Sequence, residues 1–283
     1  MADRQCLVID DVERTLATMS AAGRGIVEDG AALVRRVVLQ HASRRRWHVV
    51  RYDDFAAWAS DLVHRSRQWL VLDPLFPIDP SDGRCLPFRI ARASAAGGIR
   101  RYEHDAVPPL DSMSVPLALL DDAAASGGTL RYVAQLATQS GVRIARAALC
   151  ASTRSARDAL QMAMHVGCVE YVPGDWRILD LRDGCPHLPF TGRAATYENG
   201  DKVYWRVPMS AVPGNVWQVL LLDSDIKEAI AQARRSVGQH LQQVVGGDPT
   251  IMDLQRIGPN IPALVLPHQR ADAQTPLSQL IEV

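Results

Sequence analysis

Short apolar runs recur along the middle of the chain and alternate with segments whose apolar residues have helical spacing. The apolar runs predict strands at residues 47–52, 69–73, 86–91, 115–120, 142–151 and 168–172. The helical spacing predicts helices at residues 54–66, 128–139 and 155–164. Strands that alternate with helices in this way predict an α/β fold with a central, mostly parallel sheet and helices on both faces.

The two ends of the chain have a different texture. Apolar spacing predicts two helices between Val12 and His41 and an amphipathic helix from Asp223 to about Val245. The Asn199-Gly200 pair, which lies between strand-like arms, predicts a hairpin. We therefore expect three parts, which are an N-terminal helical segment at 1–45, the core at 46–175, and a C-terminal α+β extension at 176–283. We expect the extension to act as a hood or as a partner surface.

Composition narrows the classes of function. The chain has 283 residues, of which 47% are hydrophobic, enough to bury a large core without a disulfide or metal staple. Its 31 basic residues balance 31 acidic residues, so its net charge favours neither nucleic acid nor an anionic membrane. Acidic residues near the N-terminus argue against a secretory signal, and no apolar run approaches membrane-spanning length. We therefore expect a cytoplasmic protein.

The segment with the clearest chemistry is VPLALLDDAAASGGTL at 115–130. Its glycines let the main chain approach a phosphate closely, and the helix start that follows offers N–H groups and a positive dipole. Ser126 and Thr129 add hydroxyl donors, while Asp121 and Asp122 can accept hydrogen bonds from a sugar diol. The segment therefore predicts a site for a phosphorylated sugar. The alternative is a purely structural turn, in which the glycines allow close packing and the aspartates are solvated.

This segment resembles the signature of the type I phosphoribosyltransferases, in the form of an orotate phosphoribosyltransferase-like binding motif. The shared pattern is an apolar run, two acidic residues, a few small residues, and two glycines flanked by Ser or Thr. The resemblance implies that Asp121 and Asp122 are the catalytic pair, which holds the ribose hydroxyls of 5-phosphoribosyl 1-diphosphate (PRPP). It also implies that the 5′-phosphate is enclosed by Ala125, Ser126, Gly127, Gly128 and Thr129. Mg²⁺, chelated mainly by the ligand itself, is the implied cofactor, and no protein metal site is assigned.

A second stretch, at 86–98, is similar to the mobile loop that closes over the diphosphate in that branch and excludes water. Among the arginines in and beside this stretch, we assign Arg92 and Arg100 to the diphosphate. The chain departs from the family at residues 73–83, DPLFPIDPSDG, where the family has glycines and small residues. Prolines have no backbone N–H to donate, so this loop lacks donors for a diphosphate.

The sequence therefore predicts a phosphoribosyltransferase, a glycosyltransferase that moves the 5-phosphoribosyl group of PRPP to a nitrogenous acceptor and releases diphosphate. The expected partners are PRPP and a small-molecule acceptor, with a homodimer kept as an option and with neither membrane nor nucleic acid. The alternative, favoured by the loop at 73–83, is a non-catalytic PRPP-binding regulator or effector on the same fold. Two weaker alternatives are a hydrolase, for which Ser126 lacks a nearby His in sequence, and a zinc site at His165, Cys168, Cys185 and His187.

Overall fold

The structure of the protein is a computed structural model, which describes residues 6–19, 21–64, 68–73, 75–79, 83–88, 90–95, 98–103, 117–172, 176–184, 194–199, 202–208 and 223–248. The chain divides into two compact units. The first contains Met1–Ile9, Trp47–Ala91 and Arg101–Ile178, and the second contains Asp10–Arg46, Arg92–Arg100 and Leu179–Val283. The linear division at 45/46 and 175/176 stays a prediction.

The described residues form the following helices and strands. The helices are α1 (Val12–Ala17), α2 (Ala21–Arg44), α3 (Tyr52–His64), α4 (Gly128–Gln139), α5 (Arg154–Leu160), α6 (Leu181–Gly184) and α7 (Ser224–Val245). The strands are β1 (Cys6–Asp10), β2 (His48–Arg51), β3 (Trp69–Val71), β4 (Cys85–Pro87), β5 (Ile90–Ala95), β6 (Gly98–Glu103), β7 (Leu117–Ala124), β8 (Ile144–Thr153), β9 (His165–Val172), β10 (Arg177–Asp180), β11 (Ala194–Asn199) and β12 (Lys202–Pro208). None of these helices combines the length and apolar character needed to cross a bilayer.

A five-stranded sheet forms the centre of the first unit, with the strand order β4-β3-β7-β8-β9. Each pair of neighbours in this sheet is parallel. In the register of its middle strands, Val71 of β3 lies opposite Leu120 of β7, and Leu120 lies opposite Ala148 of β8. The predicted α/β class, a parallel sheet flanked by helices, is confirmed.

The sheet is covered on both faces because its strand residues alternate between two apolar clusters. Trp69 and Val71 belong to one cluster together with Phe55 of α3. Leu70 belongs to the other, together with Leu130 of α4. Full burial of each such side chain contributes about 1.5–3 kcal/mol, so the two clusters hold α3 and α4 on opposite faces of the sheet. This arrangement explains the nearly continuous apolar runs of the strands.

Two local predictions were wrong. β1 was not predicted, yet its residues are almost fully buried and it is the middle strand of a three-stranded sheet with the order β10-β1-β2. Residues 93–98, predicted as a mobile loop, belong mostly to β5 and β6, while Ala96 and Gly97 lie outside the described residues. β5 pairs with β11, where Ala93 lies opposite Thr196. Small residues therefore form a strand here because a neighbouring strand satisfies their backbone groups.

The predicted hairpin and the long amphipathic helix are both present in the second unit. β11 and β12 are antiparallel, with Asn199 opposite Lys202, although Gly200 lies outside the described residues. Helices α2 and α7 pack closely, since a Cβ at Gly30 would lie 3.1 Å from the Cβ of Ala233. The proposed role of these elements as a hood or partner surface stays a prediction.

Polar contacts hold the helices of the second unit in place. The guanidinium of Arg35 in α2 donates from Nε and Nη2 to both carboxylate oxygens of Asp10, at 2.7–3.1 Å. The hydrogen bond to Asp10 raises the pKa of Arg35 above its ordinary value, against the opposing effect of burial. The buried carboxylate of Asp11 accepts from the backbone N–H of Arg182 at 2.9 Å, and its Oδ2 lies 3.1 Å from Arg182 Nε. These pairs anchor the last residue of β1 to α2 and the residue that follows it to α6.

Candidate functional site

The topology of the five-stranded sheet creates a crevice beside β3. The chain passes from β3 to β4 on one side, then returns to β7 on the other side of β3 and continues outward through β8 and β9. The carboxyl ends of β3 and β7 therefore flank a topological switch point, where open α/β sheets bind their ligands. The segments that follow these two strands are residues 72–79 and 125–127. The predicted phosphate loop thus begins at this switch point.

The two predicted catalytic carboxylates lie inside β7 rather than after it. The strand was predicted to end at Leu120, but parallel pairing with β8 continues through Ala124, opposite Ser152. Asp121 and Asp122 are 5% and 1% exposed, respectively. Asp121 Oδ1 accepts from the N–H of Asp122 at 3.1 Å, and Asp122 Oδ1 accepts from the N–H of Ala123 at 2.6 Å. These carboxylates are therefore positioned by the sheet and its own backbone instead of being solvated at a turn.

The predicted phosphate loop leads directly into α4. Ala125 and Ser126 are exposed, and Gly127 is the N-cap with a φ of 67°, a left-handed conformation that side chains other than hydrogen disfavour. No side chain caps this end of the helix, and the carbonyl of Gly127 accepts the first helical bond, from Arg131. N–H groups at a helix start have no acceptor within the helix, so this end has the donors and dipole that attract an anion.

Gly127 also has a packing role that the sequence did not show. A Cβ at this position would lie 3.0 Å from Leu160 Cγ and 3.3 Å from the carbonyl oxygen of Ala156. The loop therefore rests directly against α5. Glycine is needed at 127 for the backbone conformation and for this contact, whatever approaches the loop from outside.

Sequence reasoning missed Thr153, which supports the loop from the adjacent strand. Its hydroxyl donates to the carbonyl oxygen of Ala125 at 2.5 Å, and its Oγ1 accepts from the N–H of Ala156 at 3.1 Å. The second bond makes Thr153 the N-cap of α5. A threonine between an apolar run and a helix is a recognisable cap signal, but the contact with Ala125 has no signal in the sequence.

The end of β3 carries an acidic residue held in a fixed position. Asp73 is 1% exposed, its Oδ2 accepts a short hydrogen bond from the hydroxyl of Tyr52, and its Oδ1 accepts from the N–H of Leu75 at 3.1 Å. The latter bond closes a side-chain turn of the kind that Asp favours after a strand. The described start of the loop at 73–83 is therefore organised around a buried carboxylate. Tyr52 was not singled out from the sequence.

The remaining predicted site residues are less completely described. Arg92 lies in β5 and Arg100 in β6, both in the second unit, and their assignment to the diphosphate stays a prediction. For the zinc alternative, His165 and Cys168 lie in β9, whereas Cys185 and His187 are outside the described residues. Within the part of the chain that the structure describes, no group of three or more His, Cys, Asp or Glu side chains could hold a metal ion.

Comparisons with known proteins identify no family for this chain. No protein-family profile matches the chain, and no curated protein matches it. Among solved structures, the chain is similar to a purine phosphoribosyltransferase from Pyrococcus horikoshii Ot3, with 14% sequence identity and a TM-score of 0.32. That similarity covers 46% of this chain and 87% of the other. The proposed function therefore depends on the residues of the site.

Proposed function

We propose that this chain binds a 5-phosphorylated ribose in the manner of a type I phosphoribosyltransferase. What supports the proposal is the position of one segment: the two carboxylates of β7, the glycine loop and the start of α4 follow one another at the switch point of a parallel sheet. In the proposal, the N–H groups at the start of α4 and the hydroxyls of Ser126 and Thr129 hold the 5′-phosphate. Asp121 and Asp122 accept hydrogen bonds from the ribose hydroxyls.

The enzymatic form of the proposal is transfer of the 5-phosphoribosyl group from PRPP to a nitrogenous acceptor, with release of diphosphate. For this reaction, the residues of β7 and of the glycine loop would fix the sugar so that its anomeric carbon faces the acceptor. Asp121 and Asp122 offer oxygen atoms, which suit Mg²⁺, but most ligands of the ion would come from PRPP because the described residues contain no larger metal-binding group. Mg²⁺ bound there would stabilise the charge of the departing diphosphate.

The second form is a non-catalytic regulator or effector that binds the same ligand without turnover. The hydrogen bonding of Asp73 favours this form, because the loop after β3 is built around a buried carboxylate instead of glycine amides. The two forms share the phosphate loop and differ in what they require at the end of β3. Transfer requires that the diphosphate be held, whereas sensing requires only the phosphoribosyl part of the ligand.

Calorimetry with ribose 5-phosphate tests the shared part of the proposal. We expect Gly128→Val to lose binding because a side chain at the start of α4 would occupy the space of the anion. The double variant Asp121→Asn with Asp122→Asn should weaken binding at least about tenfold, the effect of losing charge-assisted hydrogen bonds. Gly141→Ala, at the opposite end of α4, is the matched control and should bind normally. Normal binding by both site variants would show that residues 121–129 are a structural turn.

A turnover assay separates the two forms. The protein is incubated with PRPP, Mg²⁺ and a panel of bases and amines, and diphosphate release is followed by mass spectrometry. Release that depends on an acceptor and is lost in Gly128→Val identifies a transferase. Ligand binding without release identifies the regulator or effector.

A further inference from the structure

At the start of the loop after β3, three backbone N–H groups are engaged within the protein. The N–H of Leu72 donates to Leu120 at 2.8 Å, that of Leu75 to the Asp73 side chain at 3.1 Å, and that of Phe76 to the Asp73 carbonyl at 3.4 Å. Residues 74 and 77 are prolines, which have no N–H. The backbone nitrogens of Leu72, Leu75 and Phe76 are therefore bonded within the protein, and those of residues 74 and 77 carry no hydrogen. An anion binds at a loop through such N–H groups, so this loop is poorly suited to hold one.

The side chain at this position is an acceptor rather than a donor. The carboxylate of Asp73 accepts from Tyr52 on one oxygen and from the Leu75 N–H on the other. Tyr52 is 1% exposed and packs edge-to-face on Phe55, with ring centroids 5.4 Å apart, so its hydroxyl is held in place by the core. The Asp73 side chain therefore has a fixed position at the end of β3, where an ionised carboxylate disfavours a neighbouring negative group.

The ligand proposed above would have to extend toward this loop. On the other side of β7, the chain that follows β8 lies against the glycine loop. Thr153 bonds to Ala125 and caps α5, and α5 packs on Gly127. On the β3 side, Val71 lies opposite Leu120 in the register of the sheet. Asp73 comes two residues after Val71, and Asp122 comes two residues after Leu120, so the two aspartates occupy corresponding positions along their segments. In the proposed site, a ribose whose phosphate lies at α4 and whose hydroxyls face Asp121 and Asp122 would extend its anomeric substituent toward the end of β3.

We propose that the loop after β3 excludes a second anionic group, so that the ligand class is a ribose phosphomonoester with a neutral group at its anomeric carbon. This inference rests on the proposed function and selects its non-catalytic form, because PRPP, the donor for transfer, falls outside this class. Asp73 is the specificity-determining residue, and the carboxylate and carbonyl oxygens around it suit a substituent that donates hydrogen bonds, such as a hydroxyl or an amino group. Ribose 5-phosphate and nucleoside 5′-monophosphates belong to this class, whereas PRPP does not.

Titration calorimetry of the full chain with ribose 5-phosphate and with PRPP, each with and without Mg²⁺, tests this inference. We expect ribose 5-phosphate to bind at least about tenfold more tightly than PRPP in both conditions, the discrimination that an unmatched charged group produces. PRPP binding as tightly as ribose 5-phosphate, or more tightly, would overturn the inference while leaving the proposed function intact. If neither ligand binds, the proposed function itself is wrong.

The variant Asp73→Asn then assigns the discrimination to one side chain. It keeps the size of the residue and an oxygen for the Leu75 N–H, and we expect it to bring the two affinities within about threefold by improving PRPP alone. Tyr52→Phe is the control, since it removes the hydroxyl but keeps the carboxylate, and it should preserve the preference for ribose 5-phosphate. An unchanged preference in a folded Asp73→Asn variant would show that Asp73 does not determine specificity. If that variant does not fold, the wild-type comparison still decides the ligand class.

Discussion

Thr153 joins the glycine loop to the neighbouring strand, since its hydroxyl donates to the carbonyl oxygen of Ala125 over 2.5 Å while its Oγ1 accepts from the N–H of Ala156. One side chain thus sets both the first carbonyl of the loop and the start of α5. Thr153 is only 3% exposed. The position of the glycine loop therefore depends on a residue of β8.

Replacing Thr153 should lower the stability of the folded chain. Thr153→Val keeps the shape but loses the cap and the bond to Ala125, and we expect it to lower the free energy of unfolding by about 1–3 kcal/mol. Urea denaturation measures this loss, and Thr153→Ser should recover most of it. Thr138→Val removes an exposed hydroxyl that bonds to Ala134 within α4, so it should be nearly neutral. A neutral Thr153→Val would show that the two bonds do not support the loop.

The packing of Gly127 can be separated from its backbone conformation. Gly127→Ala and Gly141→Ala both place a side chain at a positive φ, 67° and 75°, which costs about 1–2 kcal/mol. Only at 127 does the new Cβ meet Leu160 and Ala156, whereas nothing lies within 4 Å at 141. We expect Gly127→Ala to be the more destabilising variant in thermal unfolding. Equal losses would mean that α5 moves aside without cost.

Asp223 should be the residue that fixes the start of α7. Its Oδ1 accepts from the N–H groups of Asp225 and Ile226, and its Oδ2 lies 3.0 Å from His41 Nδ1. Asp223→Ala loses both contacts, and the loss of the cap alone should cost about 0.5–2 kcal/mol. Asp223→Asn keeps the cap, and Asp225→Ala is an exposed control in the same turn. If Asp225→Ala destabilises the chain as much as Asp223→Ala, the cap is not the cause.

The thiol of Cys168 should make stability depend on pH in the alkaline range. Burial raises its pKa above the ordinary 9.0, the charge of Arg157 opposes this shift, and that of Glu170 adds to it. Because the folded state disfavours the thiolate, the contribution to stability is complete below pH 9 and is lost as the pH rises through the folded-state pKa. Chemical denaturation of wild type and Cys168→Ser between pH 7 and 10 should show a smaller alkaline loss in the variant.

Alkylation rates at Cys168 give an independent measure of the same pKa. Arg157→Gln removes the opposing positive charge, so we expect its thiolate to form at higher pH than in wild type. Glu170→Gln should shift the rate profile in the opposite direction. Matching profiles for both variants would contradict the assigned causes.

The sequence predicted the segments whose structure is determined by nearby residues. α4 begins at Gly128 and ends at Gln139 as predicted, because glycine and serine at its ends and apolar spacing between them act within one or two turns. The prediction failed at β1, which has only five residues, and at residues 93–98, whose small side chains pair with β11. In both places the partner strand, rather than the local residues, determines the structure.

The sequence by itself also determined which chemical groups are available, namely two carboxylates, two glycines and two hydroxyls within nine residues of a strand–helix junction. Only the tertiary structure decided how the rest of the chain surrounds them. Thr153 reaches Ala125 across 28 residues, and Tyr52 reaches Asp73 across 21. Neither contact has a local signal, because the second depends on α3 packing against β3 and the first depends on the order of the strands, which places β7 beside β8. That order is set by burial of apolar side chains throughout the sheet, a property that no short segment carries alone.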